Sequence, residues 1–170
     1  NFTEFLNNWD EIMKRITSVV IIPLFCSEEA IKILFTRRNL KLKHHPGEMS
    51  FPGGKVEFGE TFIQAAKRET FEEINCKVIK VIGKLDPVMT LVSDHLILPF
   101  IAYIDTSTLF LNRNEVESIH TVTVQEFCKT KMNRRRVGYN SIYIKSPIWQ
   151  FSDFYVWGAT GRILAEFKDW

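Results

Sequence analysis

Hydrophobic residues recur every three or four positions at the start of the chain. This spacing places them on one face of an α-helix, so it predicts an amphipathic helix before the first strand. The positions concerned are Phe2, Phe5, Leu6, Trp9, Ile12, Met13 and Ile16. We expect this face to pack against the core.

The following segments have the pattern of β-strands. Residues 18–25 and 31–36 are rich in β-branched and aromatic side chains, and the polar stretch 27–29 lies between them. Two such runs with a short polar connection predict a β-hairpin. Residues 45–59 contain two prolines and four glycines, which together predict a loop.

Helical periodicity begins after Thr61. Thr61 and Gln64 have the spacing of a capping box, which satisfies orphan N–H groups at a helix start. The helix is predicted to continue to Ile74, because Asn75 tolerates the left-handed conformation that is common at a helix C-cap. The apolar face that we expect to dock on a sheet contains Ile63, Ala66, Thr70 and Ile74.

The rest of the chain alternates between the two patterns. Residues 78–82, 96–104, 119–124 and 141–144 are predicted strands, and residues 124–130 and 157–167 are predicted short helices. This order is typical of a mixed α/β fold. Since no repeat or low-complexity linker interrupts it, we expect one domain over residues 1–170.

Composition narrows the class of protein. The chain has 170 residues, of which 45% are hydrophobic and 25% charged, so it is an ordinary globular sequence. Its longest apolar run, residues 19–26, contains Pro23 and is far shorter than the roughly 20 residues that cross a bilayer. We therefore expect no membrane partner.

Charge and cysteine content give further expectations about partners and compartment. A net charge of +2 does not favour nucleic acid as a partner. Cys26, Cys76 and Cys128 are odd in number and form no C-x-x-C pair, so a reducing, cytoplasmic compartment is predicted. The oligomeric state stays open, with a homodimer as one alternative.

A run of basic residues lies in the second half of the chain. It consists of Lys129, Lys131, Arg134, Arg135 and Arg136. Such a run is most often a solvated loop, and we prefer that interpretation. A contact with a substrate phosphate or with an RNA backbone is the alternative.

The chemistry is concentrated in the predicted helix. On a helix, Glu69, Glu72 and Glu73 project within one sector of about 100°. Their mutual repulsion costs a few tenths of a kcal/mol per pair, and a bound divalent cation would reverse it. Oxygen-only ligands favour Mg²⁺ or Mn²⁺. Alone, such a run is usually a solvated helix face; a Gly53-Gly54 loop upstream favours a catalytic interpretation.

This segment resembles the Nudix box, G-x5-E-x7-R-E-U-x-E-E-x-G-U, where U is aliphatic. The match runs through Gly54, Glu60, Arg68, Glu69, Glu72 and Glu73. Thr70 replaces an aliphatic residue and Asn75 replaces the closing glycine, and neither change removes a ligand. The resemblance implies a Nudix hydrolase with an α/β/α sandwich around a mixed β-sheet.

Residues upstream of the box are similar to a narrower group, the coenzyme A pyrophosphatase branch of Nudix hydrolases. They read Leu34-Phe35-Thr36-Arg37-Arg38 and then Gly47-Glu48-Met49-Ser50-Phe51-Pro52-Gly53-Gly54. The resemblance implies cleavage of coenzyme A or its thioesters to 4′-phosphopantetheine and adenosine 3′,5′-bisphosphate. Two alternatives remain: hydrolysis of another nucleoside diphosphate derivative, and a catalytically silent nucleotide-binding module.

The resemblance also implies a metal site. Glu69, Glu72 and Glu73, with the carbonyl group near Gly53, would hold Mg²⁺ or Mn²⁺. Arg68 would orient the glutamates. Glu60, like Glu57, could ligate through water or cap the loop.

Roles in catalysis and substrate binding follow from the same resemblance. The general base stays open between Glu73, Glu115 and Glu117. A small nucleotide similar to coenzyme A is the expected substrate. The residues expected to contact it are Arg38, His45, Gly53 and Gly54.

Overall fold

Runs of strands are separated by single helices along the part of the chain that the computed structural model describes, residues 11–28, 30–90, 95–139 and 142–170. In chain order they are β1 (Ile16–Ser27), β2 (Ala30–Arg38), β3 (Met49–Ser50), β4 (Gly53–Lys55), α1 (Phe62–Ile74), β5 (Lys77–Lys84), β6 (Val88–Met89), β7 (Leu96–Asp105), β8 (Val116–Thr123), α2 (Val124–Lys129), β9 (Asn133–Tyr139), β10 (Ile142–Gln150), β11 (Tyr155–Val156) and α3 (Gly158–Asp169).

Eight of these strands form one mixed sheet. Its main order is β3-β2-β1-β7-β5, with β4 paired to β1, β6 to β7 and β8 to β2. The central pair, β1 and β7, is parallel, whereas the other pairs of this sheet are antiparallel. Strands β11, β10 and β9 form a second, antiparallel sheet.

The large sheet is apolar on both faces. Successive residues of a strand point to opposite faces, so Ile21 of β1 packs in the cluster that contains Ala65 and Ala66 of α1. Ile22, the next residue, packs in the cluster that contains Ile163 of α3. The sheet therefore lies between helices, which confirms the predicted α/β/α sandwich.

Local sequence patterns are confirmed where neighbours along the chain decide the structure. The predicted hairpin is formed by β1 and β2, with Ser27 paired to Ala30. Helix α1 starts at the capping box of Thr61 and Gln64 and ends at Asn75, which has φ 53° and ψ 29°. The predicted strands at 78–82, 96–104 and 119–124 and both short helices are confirmed within a few residues.

Three predictions need correction because pairing between strands overrides local composition. Residues 45–59 are not loop throughout, since β3 pairs with β2 and β4 pairs with β1. The strand predicted at 141–144 belongs to the longer β10. The basic run is not loop throughout: Lys129 ends α2 and residues 134–136 lie in β9, paired to β10, although the side chains of residues 134–136 are exposed as expected.

The predicted amino-terminal helix falls largely on residues 1–10, which lie outside the described residues. Residues 11–14 are helical, and Ile12 and Met13 pack against the cluster under α1. Ile16 begins β1 instead of continuing the helix. Among the helices of the described chain, none is long and apolar enough to cross a bilayer.

Substitutions at Thr70 test how the buried face of α1 is packed. Its side chain is fully buried, and its hydroxyl group donates to the Ala66 carbonyl oxygen (2.8 Å). This oxygen also accepts the helical N–H group of Thr70, so a methyl group in place of the hydroxyl leaves no backbone group unpaired. We expect Thr70→Val to raise the free energy of unfolding by up to about 1 kcal/mol.

Thr70→Ser is the matched variant, because it removes the methyl group and keeps the hydroxyl. We expect it to lower the free energy of unfolding by about 1 kcal/mol. Urea denaturation measures both changes. A less stable Thr70→Val would contradict the inference that the hydroxyl group contributes little here.

Candidate active site

The closest approach between α1 and the large sheet is at the glycine pair of β4. Gly53 and Gly54 pair with Val20 and Val19 of β1. A Cβ atom on Gly53 would overlap the Val19 carbonyl oxygen, and one on Gly54 would overlap the carboxylate of Glu69. Only glycine therefore allows the backbone of β4 to lie against the glutamates of α1.

Arg68 is the centre of an ion-pair network on the exposed side of this contact. Its Nη2 and Nε atoms donate to the two oxygens of Glu60 (2.7 and 3.1 Å). Its Nη1 atom donates to Glu69 (2.9 Å) and Glu72 (3.1 Å), and Nη2 also donates to the Lys55 carbonyl oxygen (3.0 Å). One guanidinium group thus holds three carboxylates and the backbone of β4.

The network affects the pKa of its members unequally. The hydrogen bond from Arg68 and the backbone N–H group of Glu57 lower the pKa of Glu60, and the paired carboxylates raise the pKa of Arg68. Burial raises the pKa of Glu69 in spite of Arg68. Glu60 thus both caps the loop through Glu57 N–H (2.7 Å) and anchors Arg68.

Glu73 lies deeper than the other glutamates, with 6% of its surface exposed. It accepts a hydrogen bond from the backbone N–H group of Gly53, and its Oε2 atom is buried without a hydrogen-bond partner among the described residues. Burial, together with the charges of Glu115 and Glu69, raises the pKa of Glu73 to about 8, although Arg38 acts in the opposite direction.

The segment between β7 and β8 docks on the end of α1 and brings Glu115 to the site. The Asn112 N–H group donates to the Glu73 carbonyl oxygen (2.9 Å), and the Asn112 side chain donates to Glu115 (3.2 Å). Glu115 is close enough to influence both Glu69 and Glu73. Glu117, the alternative base, lies in β8, where its carbonyl oxygen accepts a hydrogen bond from Arg113.

Two predicted substrate contacts lie at different distances from the glutamates. Arg38, at the end of β2, acts electrostatically on Glu73, and its Nε atom is buried with no hydrogen-bond partner in the described part of the chain. His45 is more exposed and pairs with Glu48 (3.1 Å). No contact between described residues joins His45 to the glutamate cluster.

The donor set is chemically suited to a divalent cation. It consists of carboxylate and carbonyl oxygens, the ligands that Mg²⁺ and Mn²⁺ prefer, and it includes the unpartnered Oε2 atom of Glu73. Within the described ranges, no three ligating side chains already converge. Arg68 accounts for this, because it draws Glu69 and Glu72 to its own guanidinium group.

A cavity of about 440 Å³ beside Glu72 was not predicted from the sequence. It is lined by Phe71, Glu72, Asn75, Phe110 and Asn112. Phe71 occupies the variable position of the helix motif, and Phe110 belongs to the segment before β8, so no local pattern relates them. The one sequence signal for this cavity was Phe71, an aromatic residue within a charged helix motif.

Comparison with known proteins agrees with this geometry. The family model of the NUDIX domain matches residues 14–140. Nudix hydrolase 3 of Caenorhabditis elegans is 32% identical over 165 residues, which cover 85% of this chain and 69% of that protein. The uncharacterized Nudix hydrolase NudL of Enterobacter sp. (strain 638) is 28% identical over 166 residues, which cover 92% and 83%.

A solved structure is similar in fold at lower identity. The NUDIX domain of Shewanella oneidensis NrtR, crystallised with ADP ribose, has a TM-score of 0.54 and 15% identity. The match covers 74% of this chain and 84% of that chain.

The raised pKa of Glu73 predicts how the free energy of unfolding depends on pH. An unfolded chain releases this proton near pH 4.5 and the folded chain near pH 8, so between these values the folded state binds more protons. We therefore expect the free energy of unfolding of the metal-free protein to fall between pH 5 and pH 8. At 1.36 kcal/mol per pKa unit, this group contributes on the order of 4 kcal/mol.

Thermal unfolding of the metal-free protein at several pH values measures the effect. Glu73→Gln should remove most of the slope, whereas Glu166→Gln, at an exposed position of α3, should keep it. Equal slopes in Glu73→Gln and in the unaltered protein would show that Glu73 is ionised throughout this range.

Proposed function

Because the chain belongs to the Nudix family, whose hydrolases act on pyrophosphate bonds, we propose that it cleaves the pyrophosphate of coenzyme A or acyl-coenzyme A in a metal-dependent reaction. The products would be 4′-phosphopantetheine and adenosine 3′,5′-bisphosphate. The observation that carries the catalytic part is the arrangement of Glu69 and Glu73 against the glycine pair of β4.

The sequence before the Nudix box supports the choice of coenzyme A. Part of this signature has a packing role: the Thr36 hydroxyl group donates to the Ser50 carbonyl oxygen (3.2 Å), and Phe51 stacks on Phe35 with 5.0 Å between ring centroids. These contacts hold β3 beside β2 and so determine where the glycine pair begins. The signature also supplies Arg38, whose charge acts on Glu73.

Glu69, Glu72 and Glu73, with the carbonyl group of Gly53, would hold the Mg²⁺ or Mn²⁺ that Nudix hydrolases generally use. A divalent cation there neutralises charge on the phosphate oxygens. Arg68 positions the glutamates through its three ion pairs. Arg38 would contact a substrate phosphate, and we keep His45 as a peripheral contact because it lies on the exposed loop before β3.

We assign the role of general base to Glu115. Glu73 is buried and is a proposed ligand of the cation, so its carboxylate is not free to accept a proton from water. Glu115 is exposed, accepts one hydrogen bond from Asn112 and lies close enough to influence Glu73. A carboxylate at this position can accept a proton from water and pass it to solvent.

The alternative substrate is another nucleoside diphosphate derivative. The NUDIX domain of Shewanella oneidensis NrtR was crystallised with ADP ribose, so a related fold accommodates a nucleotide without a pantetheine arm. The complete set of Glu69, Glu72 and Glu73 favours an enzyme over a silent binding module. Three free cysteine thiols support a reducing compartment such as the cytoplasm.

A substrate comparison tests the proposal. Coenzyme A carries a 3′-phosphate that dephospho-coenzyme A lacks, and charge-assisted hydrogen bonds to such a group are worth about 1.5 to 3 kcal/mol each, a factor of roughly ten to a hundred. We expect kcat/KM for coenzyme A to exceed that for dephospho-coenzyme A, ADP-ribose and nucleoside triphosphates, with 4′-phosphopantetheine identified by mass spectrometry. Faster hydrolysis of ADP-ribose or nucleoside triphosphates would favour the alternative.

Substitution of Glu72 shows whether this residue acts as a metal ligand or has a structural role. Its carboxylate is half exposed and pairs with Arg68, which has two other partners. We expect Glu72→Gln to reduce kcat about a hundredfold while the melting temperature of the metal-free protein stays equal or rises, because repulsion within α1 is relieved. Glu166→Gln serves as the control. A large loss of metal-free stability would assign Glu72 a structural role.

A further inference from the structure

The cavity beside Glu72, which we call the aromatic cavity, has two phenylalanine side chains in its wall. Phe71 is 48% exposed and Phe110 is 72% exposed. Burying such a side chain stabilises a fold, so leaving both in contact with water forgoes stability. Neither residue belongs to the core clusters of the described chain.

The aromatic cavity adjoins the glutamate cluster directly. Glu72, a proposed metal ligand, lies in its wall, as does Asn112, whose backbone N–H group donates to the Glu73 carbonyl oxygen. A substrate whose pyrophosphate lies at the glutamates therefore has this cavity within reach of its remaining groups. Among the described residues that line the cavity, Phe71 and Phe110 are the aromatic ones.

The segment that supplies Phe110 is firmly attached to the end of α1. The last carbonyl groups of a helix have no partner within the helix, and here three of them accept hydrogen bonds from this segment. Asn112 N–H donates to Glu73 (2.9 Å), Phe110 N–H to Ile74 (3.1 Å) and the Thr108 hydroxyl group to Asn75 (2.9 Å). The backbone of Phe110 is thus held in place before any ligand arrives.

Asn75 adds a fourth attachment that depends on this chain's own sequence. It stands where the Nudix box has glycine, and it adopts the left-handed conformation that glycine would adopt. Its side-chain amide donates to the Thr108 carbonyl oxygen (2.7 Å). A glycine at this position keeps the helix end but cannot make this bond, so the departure from the motif strengthens the attachment of Phe110.

We propose that the aromatic cavity binds the nucleobase of the substrate, with Phe71 and Phe110 as stacking surfaces and Asn75 as a positioning residue. The proposal rests on one part of the proposed function, cleavage of a nucleotide pyrophosphate at the glutamate cluster. Aromatic rings carried on a fixed backbone favour a flat heteroaromatic ring, because stacking orders few rotatable bonds. A flexible pantetheine arm would lose more conformational entropy for the same contact.

Binding of two substrate fragments, one with and one without the nucleobase, tests the proposal. Isothermal titration calorimetry with Mg²⁺ gives the Kd of AMP, which carries the base, and of 4′-phosphopantetheine, which does not. We expect Phe110→Ala to weaken AMP about tenfold or more and to leave 4′-phosphopantetheine unchanged. Tyr143→Ala, at an exposed aromatic position of β10, is the control and should change neither Kd.

Asn75→Gly tests the positioning role without disturbing the helix end. We expect KM for the nucleotide substrate and Kd for AMP to rise severalfold, while kcat and the melting temperature stay close to those of the unaltered protein. A fall in kcat and melting temperature with unchanged KM would instead indicate a structural role for Asn75.

Three outcomes would overturn the proposal. They are an unaltered protein that does not bind AMP, a Phe110→Ala variant with unchanged AMP affinity, and a Phe110→Ala variant that loses only 4′-phosphopantetheine. The last would assign the cavity to the pantetheine arm. Each is distinct from failure of the proposed function, which the substrate comparison and the activity of Glu72→Gln measure separately.

Discussion

The close approach of α1 to β4 is the constraint on which the rest of the site depends. Glu69 lies against Gly54, and Glu73 accepts a hydrogen bond from the backbone of Gly53. Small residues continue this contact on the buried face of α1, where Ala65 and Ala66 pack against β1 and β7. A side chain on Gly54 would collide with the Glu69 carboxylate, and one on Gly53 would collide with the backbone of β1, so backbone geometry and carboxylate position are determined together.

Charge within the site is compensated unevenly. Arg68 binds Glu60, Glu69 and Glu72 at the exposed end, where solvent screens what remains of their repulsion. Glu73 lies further inside, and its pKa rises because burial and neighbouring carboxylates outweigh Arg38. Without a metal, the carboxylates of this site lie close together, which is electrostatically unfavourable. Such a site attracts a divalent cation, whether free or bound to a phosphate.

The carboxyl end of α1 connects the fold to the proposed nucleobase site. Its terminal carbonyl groups are satisfied by the segment that carries Phe110 and leads to Glu115, so one set of backbone hydrogen bonds positions both residues. Asn75 adds a side-chain bond to the same segment. Consequently a single residue at the helix end influences the neighbourhood of the glutamates without contacting their carboxylates.

Sequence by itself determined the features that depend on neighbours along the chain. The capped helix 62–74, its apolar face, the β1–β2 hairpin and the sector shared by Glu69, Glu72 and Glu73 all follow from spacing and local propensity. Family membership followed as well, because the Nudix box is contiguous. The burial of Glu73, in contrast, depends on β4 and on the segment before β8, which local periodicity does not reveal.

Tertiary structure alone decided what required distant parts of the chain to meet. Pairing with β2 and β1 turned pieces of the predicted loop into β3 and β4. The same applies to Glu115 beside Glu73 and to Phe110 in the cavity with Phe71. These last two contacts join residues about 40 positions apart, and only the packed sheet with its docked segments brings them together.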